Sequence, residues 1–328
     1  MRPIRLAVAA ALCALALLPG ACVLHDALFG FPAPTITTRS AASIELPYRE
    51  GPGGLILIKG ATTHKTGANA ETTADVEYIL DTGAPVTVVL DGPATKALQL
   101  DTSNARKLGA ADNPAAPTGV IEKGFGIDFG DLALSDLTAV VIAEKSLPCN
   151  ERFARVGFQG VIGADLFRNF IVEVDAKAKT IRLHRPAAFL PGDLRAVPLV
   201  FSSDGHPHID TEIVVTPGVT DTVRLHVDSG SSTPASFLPG ARPGLVALPD
   251  GKKGKACFVQ GELDTAVGPP VTVLLGGLAV QVEAPLLVAK ERVDGKGVAG
   301  TIGAGLLGRY RYAIDYPGKR LWVGARPG

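Results

Sequence analysis

The sequence contains few aromatic residues and no excess of charge of either sign. Its 328 residues include 12 Phe, 5 Tyr and 1 Trp, and 32 basic residues balance 32 acidic ones. No basic block occurs, so nucleic acid is not predicted as a partner on electrostatic grounds. The H-E-x-x-H and G-x-S-x-G patterns are also missing, which argues against metallopeptidases and serine hydrolases of those classes.

Glycine and proline, in contrast, are frequent. The 38 Gly and 25 Pro separate short runs of Val, Ile and Leu, a composition that favours strands joined by turns over helix bundles. Only residues 164–170 and 304–311 are predicted to be helical, and both segments are short. A chain of this length can form two units that each bury a core. The predicted fold class is therefore all-β.

The N-terminus has the pattern of an export signal. Arg2 and Arg5 precede an apolar run at residues 6–18, which is too short to predict a membrane span. Residues 1–21 are therefore predicted to be a signal peptide, and the protein is predicted to be exported.

The end of this signal resembles the lipobox of bacterial lipoproteins, because Cys22 follows Gly20-Ala21. Pro19 stands where that pattern prefers leucine. The resemblance implies a lipid on Cys22, a tether over residues 22–43, and a periplasmic protein that reaches a membrane only through that lipid. The alternative is an ordinary cleaved signal peptide followed by an incidental cysteine.

Two further cysteines, Cys149 and Cys257, lie one in each half of the remaining chain. In an oxidising compartment two such cysteines can form a disulfide. The sequence does not show whether their Cα atoms are close enough for one. A disulfide and two buried free thiols therefore both remain open.

One short motif occurs twice, each time at the end of an apolar, β-favouring run. The first copy is Asp81-Thr82-Gly83-Ala84 and the second is Asp228-Ser229-Gly230-Ser231. Glycine permits a tight turn just after each aspartate. Each carboxylate is therefore predicted to lie on a rigid loop, where it can face the other.

The surroundings of the motif repeat as well. Upstream of each copy lie two strand-like segments separated by a turn, and downstream residues 160–167 match residues 300–307. A hairpin signature follows each of these matched segments. Four features in the same order indicate a tandem duplication, with one half at residues 44–190 and the other at residues 191–328.

These paired motifs resemble those of the aspartic protease superfamily, and most closely those of bacterial retropepsin-like proteins. The resemblance spans roughly residues 44–326. It implies a bilobal, pepsin- or retropepsin-like all-β fold with a pseudo-twofold axis, in which each half contributes one catalytic aspartate. Because one chain holds both halves, it also implies a monomer that acts on a peptide or protein substrate, with no cofactor and no metal.

The resemblance assigns catalysis to Asp81 and Asp228. Two adjacent carboxylates that share one proton can activate a water and protonate a carbonyl oxygen, which is what peptide hydrolysis requires. Like charges at close range separate the two ionisations, so the pair titrates as a unit. The predicted activity is that of an exported aspartic endopeptidase.

The neighbours of both aspartates receive supporting roles by the same resemblance. The hydroxyl side chains are expected to tie the two loops together, and the loop glycines to offer amides to the carboxylates. Ser231 is expected to give Asp228 a hydrogen bond that Ala84 cannot give Asp81, and two later glycines to let a strand pass behind each loop. The supporting residues are Thr82, Gly83, Ala84, Ser229, Gly230 and Ser231 in the loops, and Gly163 and Gly303 behind them.

A flap hairpin that closes over substrate is expected at residues 110–129, and its counterpart in the second half at residues 251–268. The first segment contains no tyrosine, in contrast to the flap of pepsin-like enzymes. Its glycines make it more similar to the flap of a retropepsin.

Other interpretations compete with this one. Each aspartate motif alone also fits an ordinary turn at a strand end. Residues 303–308 match G-x-G-x-x-G but lack a surrounding βαβ unit, so a dinucleotide site is rejected. His206, His208 and His226 have no counterparts in the first half and are predicted to be surface or hydrogen-bonded side chains rather than metal ligands.

Two rival functions stay open. One is a lipoprotein that keeps the same scaffold but binds peptide or cell-envelope polymer without cutting it, because a fold alone does not establish activity. The other is a processing protease with a narrow substrate range.

Overall fold

A computed structural model describes residues 32–39, 43–67, 70–108, 117–203, 205–248, 250–258, 261–288 and 297–325. The predicted signal peptide and the predicted lipidation site at Cys22 lie outside these residues. In the described part of the chain, no helix is long and apolar enough to cross a membrane.

Runs rich in Val, Ile, Leu and Thr form the strands of the first half, because β-branched and aliphatic side chains pack well on a pleated surface. The described strands of this half are β1 (Thr35–Thr38), β2 (Ser43–Pro47), β3 (Arg49–Glu50), β4 (Ile56–Lys65), β5 (Glu71–Leu80), β6 (Val88–Asp91), β7 (Arg106–Lys107), β8 (Thr118–Asp128), β9 (Leu132–Ala143), β10 (Gly160–Ile162), β11 (Ile171–Asp175) and β12 (Thr180–His184).

The second half is built in the same way. Its described strands are β13 (Arg195–Pro198), β14 (Val200–Phe201), β15 (Pro207–Val214), β16 (Thr220–Asp228), β17 (Ala235–Phe237), β18 (Lys253–Phe258), β19 (Gly261–Val267), β20 (Val271–Leu275), β21 (Leu278–Val282), β22 (Leu286–Val288), β23 (Val298–Gly303), β24 (Tyr312–Asp315) and β25 (Arg320–Val323).

Among the described residues helices are few and short, which confirms the predicted all-β class. The described α-helices are α1 (Asn150–Val156), α2 (Ala164–Phe167) and α3 (Ala304–Leu307). The last two begin where the sequence predicts a helix and end earlier, because the chain turns within a few residues into β11 or β24. Helix α1 was not predicted.

Three sheets organise the chain. A nine-stranded sheet belongs to the first half and a ten-stranded sheet to the second. A six-stranded sheet, in the order β13-β25-β24-β11-β12-β2, takes three strands from each half. Its central contact is the antiparallel pairing of β11 with β24, in which Val172 lies opposite Ile314. Main-chain hydrogen bonds therefore join the two halves.

Strand pairing follows the same order in both halves. Strand β5 lies between antiparallel β4 and parallel β10, as β16 lies between antiparallel β15 and parallel β23. The long strands β8 and β9 correspond to β19–β20 and β21–β22, where Pro269-Pro270 and Pro285 interrupt the second half. The repeat in the sequence thus corresponds to a repeat in hydrogen bonding.

The prediction of a tether over residues 22–43 is wrong for part of that segment. Thr35–Thr38 form β1, which pairs antiparallel with β9 from Thr35 opposite Ser135 to Thr38 opposite Leu132. Three threonines and one isoleucine favour an extended backbone because their branched Cβ atoms fit the pleated surface. These residues therefore add an edge strand to the first sheet.

The hydrophobic core draws on all three sheets. Tyr78, Phe237 and Tyr312 come one from each sheet and are 0%, 1% and 2% exposed. The Tyr78 hydroxyl lies 2.7 Å from Thr62 Oγ1, so its polar end has a partner inside the core. This packing fixes the strands from which the candidate site is built.

An ion cluster around the buried carboxylate of Glu173 also links the halves through the six-stranded sheet. Glu173 lies 2.8 Å from His184 Nε2 on β12 and 2.9 Å from Arg311, the residue before β24. The hydrogen bond from His184 contributes most, and the hydrogen bond and the charge of Arg311 add to it. Together they outweigh the effect of burial and lower the pKa of Glu173 to about 2. The carboxylate therefore stays ionised at mildly acid pH.

Candidate active site

The two aspartate loops occupy matching places in their sheets. Asp81 directly follows β5 and donates its amide to the Ile162 carbonyl of β10 at 3.0 Å. Asp228 is the last residue of β16, where it lies opposite Gly303 of the parallel strand β23. Each aspartate is thus held at the end of a central strand that is bonded on both sides, a rigid place for a reactive side chain.

The structure brings the two carboxylates together. A Cβ placed on Gly83 would lie 3.0 Å from Asp228 Oδ1 and 3.1 Å from Asp81 Oδ1, so both oxygens flank the same glycine. A Cβ on Gly230 would lie 2.3 Å from the carboxyl carbon of Asp81. A side chain at Gly230 would displace the Asp81 carboxylate, and one at Gly83 would press against both carboxylates. The absence of side chains at these two positions lets the loops approach each other.

Each loop glycine also binds its own aspartate. The Gly83 amide donates to Asp81 Oδ1 at 2.6 Å, and the Gly230 amide donates to Asp228 Oδ1 at 3.0 Å. These bonds favour the ionised carboxylate and fix its rotamer.

The pair lies in a poorly solvated place that solvent still reaches. Asp228 is 7% exposed and Asp81 is somewhat more open. Burial raises the pKa of Asp81 well above the usual range, and Asp228 raises it further through its charge and a side-chain hydrogen bond. The Gly83 amide and the charge of His226 act in the opposite direction. These causes favour the protonated form of the Asp81 side chain.

The hydroxyl residues cross-link the two loops reciprocally. Thr82 Oγ1 donates to the Val227 carbonyl at 2.6 Å and accepts from the Ser229 amide at 2.9 Å. Ser229 Oγ donates to the Leu80 carbonyl at 2.9 Å and accepts from the Thr82 amide at 2.9 Å. Both side chains are buried, with 1% and 2% exposure. Each loop therefore holds the other in place by two buried hydrogen bonds.

The predicted structural glycines lie directly behind the loops. A Cβ on Gly163 would come within 2.0 Å of the Ala84 carbonyl oxygen, and one on Gly303 within 2.6 Å of the Ser231 carbonyl oxygen. The next amides, of Ala164 and Ala304, donate to these same two carbonyls at 2.9 and 2.8 Å. Close backbone approach at both places is what requires glycine.

The loops differ at their fourth residue, where the first has Ala84 and the second Ser231. The Ser231 hydroxyl lies 3.1 Å from Thr233 Oγ1. Its expected hydrogen bond to Asp228 stays a prediction. The contact with Thr233 shows that Ser231 also takes part in ordering its own loop.

Two residues that the sequence argument missed support the first loop. Tyr316, at the turn after β24, donates its buried hydroxyl to the Thr82 carbonyl at 2.8 Å. Burial, then the charges of Asp81 and Asp228, raise the pKa of Tyr316 well above the usual range. Asp165 accepts from the Thr87 amide at 2.7 Å and fixes the backbone just beyond the loop. Neither residue has a counterpart of the same type in the other half.

Cys149 and Cys257 form a disulfide that joins the halves, with their Cα atoms 6.2 Å apart. Arg152 of α1 adds contacts across the same boundary, to Cys257 Sγ at 3.1 Å and to Glu262 at 3.3 Å. Of the two alternatives left open by the sequence, the structure has the disulfide. Because both sulfurs are bonded to each other, neither is available as a thiolate ligand for a metal.

The expected flap segments lie only partly within the described residues. Residues 110–116 of the first lie outside them, and the rest of that segment is strand β8 with the turn that follows it. In the second half, β18 and β19 form a hairpin whose tip, residues 259–260, lies outside the description. The disulfide at Cys257 attaches this hairpin to the first half.

No protein-family model matches this chain, and no curated protein matches it. The functional conclusion therefore depends on the geometry of the site and on the chemistry of its residues.

Proposed function

We propose that this protein is an aspartic endopeptidase in which Asp81 and Asp228 share one proton and activate one water. The observation that carries the proposal is the meeting of two Asp-hydroxyl-Gly loops, cross-linked by four reciprocal hydrogen bonds through Thr82 and Ser229. An ordinary turn at the end of a strand requires no second loop bonded to it. It also requires no glycine packed against a carboxylate of such a loop. This arrangement supports membership of the aspartic protease superfamily and a bilobal fold with a pseudo-twofold axis.

The proposed chemistry follows from the shared proton. The ionised carboxylate accepts a proton from water while the water oxygen attacks the peptide carbonyl carbon, and the protonated carboxyl donates its proton to the carbonyl oxygen. A proton then moves to the amide nitrogen, and the C–N bond of the tetrahedral intermediate breaks. Asp81 and Asp228 titrate as a coupled pair, so the apparent pKa values belong to the pair and do not by themselves assign the two roles to particular residues.

The fixed positions of the two carboxylates support catalysis in addition to the raised pKa of Asp81. Both carboxylates are fixed by amides and by loops that cannot move independently, so little reorganisation is needed when charge develops. The substrate class is a peptide or protein, and one chain supplies both loops, so the proposed active species is a monomer.

The test is cleavage of a diverse peptide library from acid to neutral pH by wild type, Asp81→Asn and Asp228→Asn. Asp75→Asn is the matched control. Asp75 lies on β5, the strand that leads to Asp81, but its side chain forms an exposed ion pair with Lys59. The proposal expects cleavage by wild type and the control and a loss of at least about 10³-fold in both site variants. Equal cleavage by the site variants would refute the mechanism, and a folded wild type that binds peptides without cutting them would favour the binding protein.

We further propose export with lipidation at Cys22, on the sequence pattern alone. Labelling of the expressed protein with a fatty acid, beside a Cys22→Ser variant, tests it. Label in wild type that is lost in the variant supports the lipid anchor, and equal label in both refutes it.

A further inference from the structure

Three histidines form a cluster in the second half, on the strands that lead to Asp228. His208 and His226 lie opposite each other on β15 and β16, and their ring centroids are 5.3 Å apart. His206 precedes β15, with its ring centroid 5.2 Å from that of His226. The rings of His208 and His226 are almost fully buried, at 2% and 3% exposure.

The first half contains the same three backbone positions, as the strand register shows. Leu57 lies opposite Ile79 just as His208 lies opposite His226. Leu57 also lies opposite Arg49, as His208 lies opposite Val200.

The third position is identified by a turn. The Leu55 carbonyl accepts from the Gly51 amide at 2.7 Å, and the His206 carbonyl accepts from the Ser202 amide at 3.0 Å. The histidine cluster of the second half therefore corresponds to a cluster of Leu55, Leu57 and Ile79 in the first.

The first-half cluster is apolar. Leu55, Leu57 and Ile79 are buried and pack together with Ala304. Aliphatic side chains therefore satisfy this place in the fold, at lower desolvation cost than titratable rings. The three imidazoles at the matching places of the second half therefore add polar, titratable groups that this place in the fold does not require.

The cluster lies close to the proposed dyad. His226 is two residues before Asp228, so both side chains leave the same face of β16. The charge of a protonated His226 lowers the pKa of Asp81. Tyr316 faces the same pair of aspartates from the turn after β24.

Other charged groups near the cluster interact with residues other than the two aspartates. Asp210 lies on β15, two residues beyond His208, and interacts with its charge, but is also paired with Arg224 at 2.7 Å. Arg168, which follows α2, acts on Tyr316. His226 is thus the cationic group of the cluster that acts directly on the site.

We propose that His206, His208 and His226 form a proton-accepting cluster that, when charged, keeps the Asp81–Asp228 pair singly ionised at more acid pH than the pair alone would allow. This inference rests on the proposed function and names a regulation of that same site. Positive charge beside two carboxylates favours loss of their first proton. At higher pH the cluster is neutral and has little effect on the second proton.

The direct test is the pH dependence of kcat/KM. In His226→Ile, which copies the residue of the first half, the acid limb is expected to move upward by about one pH unit while the alkaline limb moves less. His208→Leu, which copies Leu57, is expected to move it in the same direction. His184→Gln is the control, because His184 lies in the six-stranded sheet beside Glu173. An acid limb that stays in place in folded His226→Ile would overturn the proposal.

A second measurement separates this inference from the proposed function. The ring C–H resonances of the histidines are titrated by NMR in wild type and in the double variant Asp81→Asn/Asp228→Asn, because a single Asn variant keeps one ionised carboxylate, which is the charge that the proton-sharing pair already carries. Linkage requires that loss of a carboxylate charge lowers the pKa of His226 by the amount that the histidine shifts the pair. If wild type cuts no peptide but this shift appears, the proposed function fails and the coupling stands; if the shift is missing, the coupling is refuted whether or not peptides are cut.

Discussion

Removal of the Thr82 hydroxyl is expected to weaken both stability and catalysis. In Thr82→Val the side chain keeps its shape, but the Ser229 amide and the Val227 carbonyl lose the partner that now lies 2.9 and 2.6 Å away. Thr82 is 1% exposed, so water cannot replace the lost hydroxyl without a movement of the loops.

The expected loss of stability in Thr82→Val follows from the two buried groups that lose their hydrogen-bond partner. Each buried donor or acceptor without a partner costs about 1–3 kcal/mol, which gives about 4 kcal/mol for the pair. Thr82→Ser keeps both hydrogen bonds and loses one methyl group, at a cost of about 1 kcal/mol. A displacement of the loops by about 1 Å is expected to lower kcat by on the order of 10²-fold in Thr82→Val.

Urea unfolding and peptide cleavage, both at low temperature, compare the two variants with wild type. The expected order in both measurements is wild type, then Thr82→Ser, then Thr82→Val, with the large step between the two variants. If the valine variant were as stable and as active as the serine variant, the hydroxyl cross-link would have no role in holding the carboxylates.

Three further changes test other parts of the structure. Tyr316→Phe removes the donor to the Thr82 carbonyl and is expected to cost about 1–2 kcal/mol in thermal unfolding with a several-fold loss of kcat; unchanged values would show that this contact is incidental. Glu173→Gln is expected to lower stability at neutral pH by about 3 kcal/mol, since the folded pKa of Glu173 is about 2 against 4.5 in the unfolded chain. That stability is present above pH 4.5 and is lost as the pH falls toward 2, so melting curves of the two proteins should converge there, and a gap that persists at pH 2 would contradict the assignment. Replacement of Cys149 and Cys257 by serine opens a link between residues 108 apart and is expected to cost about 4–5 kcal/mol by the chain-entropy model, with no change in unfolding on addition of a reductant; a reductant effect that persists would locate the sensitive bond elsewhere.

The repeated loops could be predicted from the sequence because each is a local signal. Asp81 and Asp228 each end an apolar run and precede glycine, and the second copy supplied the partner for the first. The short helices at Ala164 and Ala304 followed from the same repeat. Because the motif occurs twice in matching surroundings, its two copies could be predicted to lie next to each other.

The contacts made by only one half could not be predicted in this way. Tyr316 reaches the Thr82 carbonyl across 234 residues, and its counterpart in the hairpin of the first half is Ala176. Strand β1 pairs with a distant edge of the first sheet, although its flanking prolines are typical of a linker. Such contacts depend on how the sheets pack, which no periodicity within the sequence records.

Two of the differences between the halves lie at the site, and both come from the second half. Tyr316 and His226 both belong to the second half, and both interact with Asp81, the aspartate of the first. The matching positions of the first half are Ala176 and Ile79, which carry no polar group toward Asp228. A duplication begins with two equivalent carboxylates, and these substitutions make their surroundings unequal. Because two carboxylates that share one proton need one to hold it and the other to release it, unequal surroundings at one of them favour a division of roles over a symmetric pair.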